Sequence, residues 1–142
     1  MVIENVKERL REPECLALLA PSMFHPTEAR VAQRAEMFMR DSAIEAWACR
    51  AEGALAGLIV LAVNGHEGVI RAIATAETMR GRGVGRFLVE RGMERFGLSL
   101  LTAETDDDAV GFYRRCGFVV SRGHEIGGRA RYVCRRTRTL FP

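Results

Sequence analysis

The sequence predicts a mixed α/β fold: a twisted sheet, mostly antiparallel but with one parallel pair, flanked by helices. Three observations predict it. Apolar residues recur at helical spacing through the N-terminal segments as far as Arg40. Three strand-like runs rich in apolar residues then follow one another across the turn signals Glu52-Gly53 and Asn64-Gly65, which favours antiparallel hairpins. Beyond them, a helical segment separates two strand-like runs, so those two strands should lie parallel and be joined by a right-handed crossover.

Each element has its own residue-level reason. Over residues 3–19, Val6, Leu10, Leu16, Ala17 and Leu19 sit among charges at mostly helical spacing, and Pro13 should bend or divide this helix. His25-Pro26-Thr27-Glu28 reads as the start of a second amphipathic helix, capped by Thr27 or a neighbour. Its apolar face is Val31, Ala35, Phe38 and Met39, up to Arg40. Residues 44–51, 55–63 and 69–75 read as a three-stranded meander, the third strand buried on both faces apart from Arg71. Val84, Phe87, Leu88, Met93 and Phe96 line one face of the next helix, which stops at Gly97. Residues 98–104 form the strand parallel to 69–75. A short helix over 106–115 opens with aspartates at the positive end of its dipole and ends at Gly117. Residues 118–126 and 129–140 flank Gly127-Gly128 as a closing hairpin.

With 142 residues and 48% hydrophobic content, the chain suits one domain over 1–142 with a core of ordinary size. The longest apolar run, residues 53–63, is interrupted by glycines and too short to span a bilayer. The first residues lack a basic stretch followed by an apolar core, so no secretory signal is read and a cytoplasmic location is expected. Cys15, Cys49, Cys116 and Cys134 are scattered, without histidines at ligand spacing, and are expected to be isolated buried thiols; no metal is expected. The net charge of +3 gathers late, in Arg122, Arg129, Arg131, Arg135, Arg136 and Arg138. Such a segment could meet an anionic cofactor or nucleic acid, or be a solvated arginine-rich edge strand.

The segment Arg80-Gly81-Arg82-Gly83-Val84-Gly85-Arg86 carries the most chemistry. Its glycines let the backbone approach a ligand closely and point successive amides inward. The following helix adds its positive end, and Arg80, Arg82 and Arg86 add guanidinium groups suited to phosphate oxygens. Rival phosphate motifs fail on spacing. No Gly-Lys-Ser/Thr occurs, which excludes a Walker loop. A dinucleotide fingerprint needs glycine where Arg86 stands, although Glu104 would lie at a plausible distance for its ribose acid. A glycine-rich connection that binds nothing would leave three arginines to repel one another.

Arg80-Gly81-Arg82-Gly83-Val84-Gly85 resembles the Q/R-x-x-G-x-G/A signature of the GNAT superfamily of N-acetyltransferases. Asp106-Asp107-Asp108-Ala109-Val110-Gly111-Phe112-Tyr113-Arg114-Arg115-Cys116-Gly117-Phe118 resembles a second motif of the same superfamily, in the expected order. The resemblance covers the chain from about Ile44 onward and implies a GNAT-like sheet, acetyl-CoA as cosubstrate and an amine acceptor, either a small molecule or a peptide. By the resemblance, Ile73, Ala74 and Thr75 lend backbone groups to the pantetheine arm and thioester, and Arg80 to Arg86 hold the pyrophosphate. Similar proteins are often homodimers; the sequence leaves the oligomeric state open. Two positions depart from the family pattern. Asp106 replaces a frequent asparagine, and a carboxylate there suits capping better than phosphate contact. The stretch before Arg80 lacks the common proline.

Acetyl transfer to an amine needs a neutral nucleophile, a place for charge on the thioester oxygen and a proton for the thiolate. Tyr113 stands where the family's usual general acid stands; the alternative is a core tyrosine satisfying a backbone group. Glu104 is the leading general base, with Glu45 and Glu67 behind it; the alternative is an exposed or capping carboxylate. Cys116 as an acetyl carrier lacks a paired histidine, and Trp47 reads as core. Two other classes stay open: a catalytically inactive acyl-CoA-binding regulatory module, and nucleic-acid binding by the arginine-rich C-terminus, which is less favoured and would depend steeply on salt.

Overall fold

A computed structural model describes residues 1–138. The expected helix over 3–19 divides earlier than Pro13 implies. Ile3–Asn5 is a short strand, β1, followed by a 3₁₀ turn at Lys7–Arg9; Pro13–Leu19 alone is α-helix, α1. Pro13 occupies the first turn, where its missing N–H costs nothing, so it starts the helix rather than bending it. Three residues are too few to show a period of two, and what makes them a strand is the edge of β2, with Ile3 opposite Cys49 and Asn5 opposite Trp47. Glu4 bridges Arg9 and Arg50, and Arg50 reaches Glu14 on α1.

Glu28–Arg40 is α2, and Thr27 caps it by accepting the Arg30 N–H at 3.2 Å. Strands β2 (Ile44–Ala51), β3 (Ala54–Asn64) and β4 (Glu67–Thr75) form the antiparallel meander. Glu52 and Gly53 both take positive φ in the first of its turns. Helix α3 is Val84–Phe96, capped by Gly97 in the left-handed region, and β5 is Leu100–Thr105. The helix expected over 106–115 begins late, as α4, Val110–Arg115. Asp106 Oδ1 accepts the N–H groups of Asp108 and Ala109, an Asx turn that diverts the three aspartates from helix. Strands β6 (Val119–Arg122) and β7 (Tyr132–Thr137) close the sheet as a hairpin around Gly127-Gly128. The expected end of the last strand, near Leu140, lies outside the described residues.

The seven strands run in the order β1-β2-β3-β4-β5-β7-β6, every neighbouring pair antiparallel except β4 with β5. β7 therefore lies inside the sheet and β6 forms the edge, which corrects the reading of the last arginine-rich strand as an edge. Helices α1 and α2 pack Leu19, Val31, Ala35 and Phe38 against Ala46, Leu58 and Val60 on one face. On the other, α3 and α4 pack Leu88, Val89, Met93 and Tyr113 against Ile59, Leu61, Leu101 and Cys134. All four cysteines are buried free thiols.

β4 departs from expectation in the way that matters for the site. It is not buried on both faces: besides Arg71, the expected exception, Val69 is 45% exposed and Ile73, Ala74 and Thr75 are only half-buried. Val60 pairs with Ala72 and Leu61 with Ile70, so Arg71 is an extra residue in a β-bulge. Side-chain parity flips there, Ile70 facing the α3 side and Ala72 the α1–α2 side. β5 pairs with β4 only at Glu67, Gly68 and Val69. Past Val69 the two strands part in the middle of the sheet.

Candidate active site

The gap between β4 and β5 opens into a cleft of about 1490 Å³. One wall is β4 with Ile73, Ala74 and Thr75; the other is the end of β5 with Glu104, then α4 with Phe112 and Tyr113. Because β4 past Val69 has no strand on its β5 side, its backbone there can bond a ligand as a missing strand would.

At the far end lies the glycine turn. Gly81 and Gly83 take φ +78° and +77°, a conformation that L side chains rarely adopt, and a methyl at either would meet nothing within 4 Å. Gly83 is the N-cap of α3, makes no side-chain cap bond and is followed by no acidic residue in the first turn. Helix α2, by contrast, satisfies its own first turn through Thr27. The first amides of α3 are therefore left for a ligand, and an anion is what that helix end favours. Gly85 serves differently. A Cβ there would fall within 2.5 Å of Phe112 Cζ, so its missing side chain lets α4 lie on the start of α3. Gly57 does the same beneath the helix, where a Cβ would come within 2.6 Å of Val84 Cγ1.

The three arginines of the turn part company. Arg80 lines the cleft; Arg82 is exposed and does not. Arg86 lines it but also donates from Nε to Glu90 at 3.0 Å and from Nη1 to the Arg115 carbonyl at 3.1 Å. Arg136 donates to the Cys116 carbonyl and reaches the same Glu90, whose carboxyl is held below its ordinary range first by the Arg86 bond and then by Arg136. These exposed pairs add little stability individually. They do brace α3, α4 and β7 around Tyr113.

Tyr113 is 7% exposed, edge-on to Phe112 and Phe118 with ring centroids 5.3 Å away in each case. Burial pushes its phenol well above the ordinary value, with Cys134 and Cys116 adding to the effect. The group is a proton-bearing donor at any working pH. Glu104 is exposed on β5 and lines the cleft. Glu45 does not, because it alternates with Ile44 and Ala46 and so lies on the α3 face beside Trp47; Glu67 is exposed at the start of β4, also away from the cleft lining. Asp106 lines the cleft with its Oδ1 already accepting two amides of its own loop. Cys116 is buried and its thiol pushed up by that burial, which disfavours a thiolate nucleophile. Trp47 stacks edge-on with Phe96, away from the cleft.

Across from the glycine turn, on the α1–α2 face, Phe24, Arg34, Arg71, Arg131 and Arg135 also line the cleft, Phe24 and Arg34 being unsuspected in the sequence. Phe24, 71% exposed in the loop before α2, lies under the Arg129 guanidinium of the β6–β7 hairpin at 5.5 Å. Arg71 stands out in the sequence as the lone charge in an apolar strand, and Arg131 and Arg135 as members of the arginine-rich C-terminal segment. Among the described residues, no group of three or more His, Cys, Asp or Glu could hold a metal ion, and no helix is long and apolar enough to cross a membrane.

Comparison with known proteins bears on this arrangement. The model of the Acetyltransferase (GNAT) family matches residues 8–118. No curated protein sequence matches. An aminoglycoside 6'-N-acetyltransferase solved with coenzyme A is 14% identical, covers 100% of this chain and 99% of its own, and superposes with a TM-score of 0.75. A GNAT family acetyltransferase from Elizabethkingia anophelis with acetyl-CoA bound is 16% identical over 96% and 97% of the two chains, TM-score 0.68. A spermidine N-acetyltransferase from Vibrio cholerae is 20% identical over 95% and 92%, TM-score 0.64. At these identities the structures establish a shared fold.

Proposed function

Given that this chain belongs to the GNAT acetyltransferase family, we propose that it transfers the acetyl group of acetyl-CoA directly to a primary amine, as one domain over 1–142 working in the cytoplasm. The observation that carries the reading is the single cleft that joins the uncapped start of α3 to the unpaired edge of β4 and to Tyr113.

In this reading the pyrophosphate rests on the amides of 81–86 with Arg80 beside it, and Arg86 contributes while anchored to Glu90. The backbone of Ile73, Ala74 and Thr75 takes the pantetheine arm as a strand, and an N–H near Ile73 or Ala74 polarises the thioester carbonyl. Glu104 accepts a proton from the incoming ammonium, directly or through water. The amine nitrogen forms a bond to the carbonyl carbon and gives up its second proton to water, the carbon–sulfur bond breaks, and Tyr113 donates a hydrogen bond to the departing thiolate, or its proton, which it regains from water. The acceptor approaches from the α1–α2 face, beneath Phe24 and the β6–β7 hairpin. Proteins of the same fold that are named for spermidine and aminoglycoside acetylation support a small-molecule amine as its class.

The test is acetyl-CoA-dependent thiol release across amino acids, polyamines, aminoglycosides and peptides. Release with at least one amine class, with the N-acetyl product identified by mass, is the expected result. Tight acetyl-CoA binding without release from any class would replace the enzyme by an acyl-CoA-binding module. Glu104→Gln is expected to lower kcat/KM about 100-fold near neutral pH, with the deficit shrinking as pH approaches the amine pKa near 10, where no base is needed. A ratio of wild type to variant that stays constant with pH removes Glu104 as the base.

A further inference from the structure

We infer that the acceptor is an amine that also carries a carboxylate, an amino acid rather than a polyamine, and that Arg71 and Arg135, with Arg34 behind them, form its carboxylate subsite. This rests on the acetyl-transfer reading and adds the substrate class.

The α1–α2 side of the cleft gathers Arg34 from α2, Arg71 from the β4 bulge, Arg131 from just before β7 and Arg135 from β7. Among the described residues, some arginines elsewhere in the chain pair with carboxylates, as Arg9, Arg11, Arg50, Arg86 and Arg136 do, and others, such as Arg30 and Arg95, do not. None of these four makes an ion pair among the described residues. Arg34 is held in place: its Nη2 donates to the Arg71 carbonyl at 2.8 Å, its guanidinium lies 4.8 Å from the Phe38 ring centroid, and its Nε is buried without a hydrogen-bond partner. Arg71 also faces that ring, 6.0 Å from the centroid. The two cations are close enough that Arg71, after burial, holds the Arg34 pKa below its ordinary value. Like charges fixed together without a counter-charge are costly, and a bound anion relieves that cost.

The sheet register supplies the second half of the recognition. Val69, Thr102 and Arg135 pair in one row across β4, β5 and β7. Leu101, Ala103 and Cys134 point to the α3 side, so Thr102, Glu104 and Arg135 point the other way. Glu104, two residues beyond Thr102, lies on the side where Arg71 follows Val69 and where Val133 pairs with it. One carboxylate thus stands between guanidiniums on the two sides of the gap, an arrangement for an ammonium beside a carboxylate. The other acids close to this region are Glu67, at the far start of β4, and Asp106 and Asp108 of the β5–α4 loop, of which Asp106 is occupied by its own amides. A polyamine would meet the arginines with only Glu104 and Asp108 in its favour.

The experiment compares matched acceptors in the thiol-release assay: phenylalanine with phenethylamine, histidine with histamine, lysine with cadaverine, and spermidine. At least one amino acid should exceed its decarboxylated partner about 10-fold or more in kcat/KM, the scale of a hydrogen-bonded charge pair. Arg71→Gln or Arg135→Gln should raise its KM about 10-fold while the KM for acetyl-CoA stays put, and Arg71→Lys should restore part of the loss. The Arg34 bond to the Arg71 main-chain carbonyl survives these changes. Amines or spermidine used as well as the amino acids would overturn the subsite. If no amine is acetylated, the acetyl-transfer reading falls, and calorimetric titration of N-acetyl amino acids into the CoA-loaded protein decides the subsite separately. Binding weakened by Arg71→Gln upholds it, and no binding across the series overturns it.

Discussion

Replacing Tyr113 by phenylalanine is expected to lower kcat about 100-fold, the lower end of what a positioned acid contributes, with little change in the KM for acetyl-CoA. The lower end follows from burial. A phenol driven above its ordinary pKa of 10 is a weak proton donor to a thiolate near 8.5, so its contribution is a hydrogen bond to sulfur as the carbon–sulfur bond lengthens. The ring packing on Phe112 and Phe118 survives the substitution. Stability should therefore move by no more than about 1 kcal/mol, the net worth of one hydroxyl bond. The wild-type rate profile should show no fall near pH 10 attributable to this group. Its raised pKa also means that the unfolded chain loses this proton first, so Tyr113 makes no pH-dependent contribution below pH 10 and lowers stability as pH rises beyond it. Steady-state kinetics and a thermal melt on one preparation decide the matter. Unchanged kcat with a verified amine would make Tyr113 a core tyrosine.

Gly85→Ala should lower stability by about 1–3 kcal/mol, a typical overpacking cost, and weaken acetyl-CoA binding. The sign is informative because local propensity alone predicts the opposite. Alanine is better than glycine inside a helix by about 1 kcal/mol, and Gly85 is in the first turn of α3 with no positive φ to protect. What reverses the sign is Phe112, whose ring occupies the place of the new methyl. The ring must shift, α4 with it, and the amides at the start of α3 are then less well placed. Urea unfolding and calorimetry with acetyl-CoA measure the two effects. A stabilised variant with unaltered affinity would show that α4 gives way freely and that the glycine is dispensable. The same reasoning separates Gly81 and Gly83, where space is open and only the left-handed backbone opposes a side chain.

The misses in the sequence reading share a cause. β1 depends on pairing with Trp47 and Cys49, distant in the chain, and no period shows in three residues. The three aspartates after β5 look like a helical first turn, yet Asp106 spends its side chain on an Asx turn that competes with helix. β4 reads as a doubly buried strand because its residues are apolar. The partial exposure of Ile73, Ala74 and Thr75 follows from β5 leaving it after Val69, which no property of residues 69–75 encodes. Glu45 and Glu104 look alike as candidate bases until the register puts Glu45 on the α3 face and Glu104 in the cleft.

By itself, the sequence determined the elements whose signals are local: the Thr27 cap, the turns at Gly53, Gly65 and Gly127-Gly128, the stop at Gly97, and the glycine turn with its arginines before α3. These features need only neighbouring residues, so they survive in one dimension. Tertiary structure alone decided the bulge at Arg71, the parting of β4 from β5, the seat of Phe112 on Gly85 and the gathering of Arg34, Arg71, Arg131 and Arg135 at one end of the cleft. Each depends on strand register and on which face of the sheet a side chain takes. A shift of a single residue exchanges those faces, and the exchange is set by packing across the whole sheet.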